Sequence, residues 1–163
     1  MTLLLPILIE MSWLGTDDLL KKVKRNGDTE TREAFYGVYP IDKLPKFVPH
    51  RPFLMIVNTH THNLNGEHWI SIFIDNKRQG ELFDSLAVTN NVILSQWLNR
   101  FTHRWKRNDC IYQNPLSATC GAYVLYYCLN RLNFDSLQSF LQTFTKSPLV
   151  NDTLVLDFFN VLE

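Results

Sequence analysis

The 163-residue sequence predicts a mixed domain in which a mostly antiparallel sheet packs against one buried central helix. Three observations predict it. Apolar, β-rich runs at 53–59, 68–74 and 80–85 follow one another with only turn residues between them, the pattern of an antiparallel meander. The stretch after Cys120, Gly-Ala-Tyr-Val-Leu-Tyr-Tyr-Cys-Leu, is apolar on every side, so a helix there has no solvent face. Segments 91–104 and 134–144 repeat apolar residues at helical spacing and read as helices packed on the surface of that core.

The elements follow in chain order. Thr16-Asp17-Asp18 caps a short amphipathic helix over 16–24, with acidic residues in its first turn and Lys21, Lys22 and Lys24 toward its end. Residues 35–40 give an extended piece, and Pro45, Pro49 and Pro52 keep the next stretch from being helical. Strands follow at 53–59 and 68–74, the second leading through a hairpin turn at 76–80 into 80–85. His68 begins one of these paired strands and Asp84 ends the next, which places both at the same end of the sheet. Residues 110–112 read as a short strand, and Ser117 and Thr119 are N-cap candidates for the central helix. Pro148 reads as an interruption, and 154–159 fits helix or strand.

Composition bounds the function. Lys+Arg and Asp+Glu each total 16, so no global field draws the chain to nucleic acid or to a membrane. Three cysteines without C-x-x-C spacing argue against a disulfide framework or a zinc knuckle and fit a reducing compartment. The apolar run Leu3–Ile9 is too short to span a bilayer and lacks a charged start, so it reads as a packed segment. His60 and His62 are spaced for one strand face, but the stretch reads as a loop with no acidic ligand, and no metal is expected. One domain is expected over 1–163: an apolar segment and helix at 1–34, a core at 35–132 and a helical region at 133–163.

A cysteine at the first turn of a buried helix meets unpaired amides and the positive end of the helix dipole, both of which stabilise a thiolate. Most buried cysteines are merely small hydrophobes, so the weight falls on the accompanying residues. Thiol proteolysis needs a nucleophile, a histidine to share and return a proton, a group to orient that histidine, and donors for the oxyanion. Cys120, His68, Asp84 and Gln113 supply these in turn, Gln113 acting with the Cys120 amide. Cys128 falls on the core face of the same helix, and His50 and His103 read as surface residues.

The order His, Asp, Gln, Cys resembles the adenovirus protease (adenain) family and its relatives, the ubiquitin-like-protein proteases. The matching pieces are G-E-H-W around His68, L-F-D-S around Asp84, Q-N-P-L-S-A-T-C-G from Gln113 to Gly121, and F-Y-G-V-Y-P-I-D-K-L-P from Phe35 to Pro45. The resemblance implies an α+β, papain-related fold and a cysteine endopeptidase of viral maturation. Such an enzyme cuts capsid and core precursors at Gly-Gly or Gly-X bonds, from a virus or virus-like element, with Trp69 lining the cleft. It also implies packaging in the virion, in the host nucleus or a cytoplasmic virus factory. The same triad serves proteases of ubiquitin-like modifiers, and an inactive capsid-associated module is a third reading.

Three departures qualify that resemblance. Asp84 stands where adenoviral enzymes usually carry Glu, a choice similar to the ubiquitin-like-protein branch. The chain is shorter. Its zero net charge weighs against a DNA cofactor, although Arg100, His103, Arg104, Lys106 and Arg107 form a local basic cluster that also fits a solvated helix end. No cofactor is needed for the chemistry. Cys110 stands where adenoviral enzymes link a capsid-derived activating peptide, and a plain strand-end cysteine is the competing reading.

Overall fold

The computed structural model describes residues 14–60 and 68–163. The apolar run Leu3–Ile9 and the pair partner His62 lie outside the described residues. The helices are α1 (Thr16–Asn26), α2 (Thr29–Ala34), α3 (Val92–Phe101), α4 (Cys120–Asn130), α5 (Leu137–Leu141) and α6 (Pro148–Asn160). The strands are β1 (Phe35–Pro40), β2 (Phe53–Asn58), β3 (Trp69–Ile74), β4 (Gln79–Phe83) and β5 (Arg104–Arg107). They form one sheet in chain order, β1-β2-β3-β4-β5. The centre is the expected meander: β2 with β3 and β3 with β4 are antiparallel. Both edges differ, because β1 pairs parallel with β2 and β5 parallel with β4. A parallel neighbour cannot be reached by a hairpin; the chain between β4 and β5 therefore leaves the sheet and returns through α3.

The strand runs look continuously apolar because the sheet is covered on both faces. Alternation sends Leu54, Ile56, Trp69, Phe73 and Phe83 into the core with α4. Their neighbours Phe53, Met55, Val57, Ile70, Ile72, Ile74 and Leu82 join Leu94, Trp97 and Leu98 of α3. Central α4 touches β2, β3, α1 and α6. Phe83 stacks on Tyr127 of α4 at 4.9 Å between ring centres, and Phe140 of α5 meets both rings edge-on. No helix among the described residues is long and apolar enough to cross a membrane.

Three local expectations are corrected, and one is refined. Residues 110–112 are not a strand; the strand is β5, just before them, whose exposed and half-buried side chains hide a sheet edge. Gly80 allows that pairing, since a Cβ there would sit 2.7 Å from Thr102 and 2.9 Å from Trp105. Pro148 does not interrupt a helix but starts α6, where its missing N–H costs nothing, and the tail is helical. The helix expected over 134–144 is confined to Leu137–Leu141, preceded by a 3₁₀ turn at Arg131–Asn133. Thr119 is the N-cap residue of α4, yet its side chain makes no cap hydrogen bond and is used elsewhere.

Candidate active site

Three sheet-end or helix-end residues converge. His68 immediately precedes β3, Asp84 immediately follows β4, and Cys120 is the first residue of α4. The antiparallel register that sets Ser71 opposite Phe83 brings the first two to one end of the sheet. His68 Nε2 and Asp84 Oδ1 are 2.7 Å apart. A carboxylate can only accept, so Nε2 carries the proton of that bond. Cys120 lines the same cleft and helps raise the proton affinity of the imidazole; with Nε2 engaged by Asp84, Nδ1 is the nitrogen left for the thiol. Cys120 is 7% exposed, and as the first residue of α4 it places its amide at the positive end of the helix dipole.

Asp84 is fully buried, and its surroundings explain how it stays charged. Oδ1 also accepts from the Leu86 amide at 3.0 Å, and Oδ2 accepts from the Val88 and Thr89 amides at 3.1 and 2.8 Å. The turn that aims these amides inward passes through Ala87 at φ 53°, a left-handed conformation costing about 1–2 kcal/mol for a non-glycine residue. Arg107 Nη2 lies 3.6 Å from Oδ2, while its Nη1 donates to the Thr89 carbonyl. Asn108 fixes the main chain at the same point: its Oδ1 accepts from the Asp84 amide and its Nδ2 donates to the Asp84 carbonyl at 2.6 Å. Burial alone would raise the Asp84 carboxyl. The hydrogen bond and charge of His68, with Thr89, overcome this and hold it well below the usual carboxylate range. For His68, burial pulls downward, but Asp84 and Cys120 outweigh it and push the imidazole up to about 9.

Gln113 is held between two loops. Its Oε1 accepts from Ser85 Oγ at 2.7 Å and its Nε2 donates to the Ser117 carbonyl at 3.0 Å. Those bonds fix which end of the amide carries N–H, and the amide has a second N–H to give. Gln113, His68 and Cys120 line one cleft of about 420 Å³, walled also by Thr59, Leu86, Val88 and Ala118.

Of the other residues read from sequence, Trp69 is 5% exposed and packs in the core beside α4. Cys110 is exposed and free; Cys128 is buried against Ser71, and burial pushes its thiol up to about 12. His60 lines the cleft, whereas His50 and His103 are exposed. No group of three or more His, Cys, Asp or Glu side chains placed to hold a metal occurs among the described residues. Arg107, read as part of a solvated basic cluster, instead faces Asp84. Asn108 and Asp152 carry no local sequence signal at all.

The arrangement offers a nucleophilic thiol, an oriented imidazole and amide donors around a common cleft. Comparison with curated protein sequences gives no match. Among solved structures, the ASFV pS273R protease matches with a TM-score of 0.53 at 18% identity, over 80% of this chain and 63% of that one. That likeness shows a shared fold. The SUMO protease Ulp1, with its catalytic cysteine oxidised to a sulfinic acid, aligns at a TM-score of 0.35 and 23% identity, over 64% of this chain and 52% of that one. The central domain of Lpg1148 from Legionella pneumophila aligns at 0.43 and 14%, over 77% and 82%. The chain spans 63% of the ASFV protease chain and 52% of the Ulp1 chain. Residues 53–147 match the model of the Ulp1 protease family, C-terminal catalytic domain, a stretch that holds His68, Asp84, Gln113 and Cys120. By that match the chain belongs to the Ulp1 protease family, a family of cysteine proteases.

Proposed function

We propose that this chain is a cysteine endopeptidase that cleaves viral capsid or core precursor polypeptides at Gly-Gly or Gly-X bonds. The observation that carries the activity is the buried Asp84–His68 pair at 2.7 Å, with Cys120 on the same cleft as that imidazole. Cys120 and His68 form a thiolate–imidazolium pair. Sγ attacks the scissile carbonyl, and the oxyanion is held by the Cys120 amide and the Gln113 side chain. His68 then protonates the leaving amine, and water hydrolyses the thioester. The chemistry needs only side chains and main-chain amides. A precursor substrate is supported by the fold shared with a viral protease and by the adenain-like sequence around the four residues. The family match favours a second reading, in which the substrate is the C-terminal extension of a ubiquitin-like modifier.

The test offers purified chain two substrates: precursor polypeptides bearing Gly-Gly-X sites and a modifier with a C-terminal extension. Cys120→Ala is the control, and products are identified by mass spectrometry. Cleavage of the precursors, reduced on the order of 10⁴-fold or more by Cys120→Ala, is expected. Cleavage of the modifier fusion alone would transfer the substrate reading to the second class. Equal cutting by Cys120→Ala would remove the mechanism.

A further inference from the structure

The C-terminal helix reaches back to the loop that delivers the nucleophile. Asp152 is in α6, beyond the stretch matched by the family model, and is 7% exposed. Its Oδ1 accepts three hydrogen bonds: from the Asn114 amide at 3.2 Å, from Thr119 Oγ1 at 3.2 Å and from the Tyr123 hydroxyl at 2.8 Å. Asn114 follows Gln113, Thr119 precedes Cys120, and Tyr123 lies one turn into α4. The neighbouring Asn151, fully buried, donates from Nδ2 to the Tyr112 carbonyl at 3.1 Å, on the other side of Gln113. The Tyr123 oxygen also lies 2.9 Å from that carbonyl, although its one hydrogen is the one given to Asp152. Thus both ends of segment 112–119 are tied to one helix turn. Thr119 gives up its own capping role to join the network.

We propose that Asp152 is a positioning residue for the reaction: its carboxylate fixes segment 113–119, and through it the spacing of the Gln113 amide from the Cys120 nucleophile. An apolar contact would exclude water equally well. A single oxygen taking three donors from Asn114, Thr119 and Tyr123 instead fixes direction, which is what two groups converging on one carbonyl require. The inference rests on the reading of Cys120 and Gln113 as catalytic residues.

The test compares Asp152→Ala with Asp152→Asn, which keeps an acceptor oxygen, in the full chain at a temperature where both are folded by circular dichroism. Asp152→Ala should lower kcat roughly 10–100-fold with little change in KM, because a displaced donor acts on the transition state rather than on binding. Amide hydrogen exchange in 113–119 should rise about tenfold, with β3 and β4 unchanged, and alkylation of Cys120 at pH 6 should slow. Asp152→Asn should restore most of each. An unchanged kcat, or unchanged exchange in 113–119, would overturn the role. If the parent chain cleaves nothing, the protease reading fails, while exchange and Cys120 alkylation still decide whether Asp152 positions the loop.

Discussion

Two buried ion pairs sit three residues apart on the same stretch of chain, and only one of them opens on the cleft. Glu81 in β4 takes Arg131 in a two-pronged bond, Oε1 to Nη2 at 2.5 Å and Oε2 to Nε at 2.7 Å. Tyr127 donates to Oε2 at 2.9 Å, Arg131 Nη1 donates to the Phe134 carbonyl, and the guanidinium lies 4.8 Å over Phe73. Asp84 is equally buried and surrounded by donors, but its partner is an imidazole. The guanidinium stays charged throughout the working range, so the first pair is fixed. His68, pushed up to about 9, can give and retake a proton. The lesson is that two pairs alike in burial and donor count differ in the proton affinity of the cation, and only one of them can exchange a proton in the neutral-to-alkaline range.

The largest expected effect breaks the second pair. Asp84→Asn should reduce kcat/KM on the order of 10³–10⁴-fold, since the imidazole loses both orientation and charge support. The alkaline limb of the parent pH profile should fall near 9, and in Asp84→Asn it should move down toward the usual 6.5. Stability follows the same signs. The His68 contribution is fully present below pH 6.5 and is lost as pH rises through about 9, while the Asp84 contribution is present above 3.8 and is lost as pH falls below it. A parent profile flat to pH 10 would dissolve the distinction between the pairs.

Next, Arg131→Met should cost about 3–5 kcal/mol in chemical denaturation, because it leaves Glu81 buried without its cation. At temperatures where the variant is folded its kcat should match the parent. A large kcat loss there would join the two pairs into one functional unit. The smallest effect concerns Cys128, whose buried thiol should resist iodoacetamide in native protein at pH 8 and react once denatured, with Cys120 as the reactive reference. Native labelling of Cys128, read by mass spectrometry, would show that the Ser71 side of α4 opens to solvent.

The sequence showed strands and helices where burial is complete. β2 and β3 are apolar on both faces, and α4 is apolar all round, so their patterns depend on nothing distant. β5 escaped because Arg104 and Lys106 point to solvent at a sheet edge, where charge says nothing about strand formation. Helix α2 escaped because six residues, TETREA, are too few to show a period. His68, Asp84, Gln113 and Cys120 were legible as an ordered set; the structure sets His68, Gln113 and Cys120 on one cleft, with Asp84 buried against His68. Their supports were not. Ser85 reaches Gln113 across 28 residues, Asn108 reaches Asp84 across 24, and Asp152 reaches Asn114 across 38. No window of local sequence contains such a pair.

The parallel pairing of β4 with β5 has an architectural corollary. Because β5 cannot follow β4 by a hairpin, the chain must leave at the end where Asp84 stands, and residues 85–91 travel across that end before α3 begins. Leu86, Val88, Asn90 and Asn91 of this crossing form one bank of the cleft, yet none of them is in the sheet. Beyond the turn that holds Asp84, the bank could lengthen or change chemistry while β4, α3 and β5 kept their register. Recognition can therefore diversify on a connector that topology obliges the fold to have.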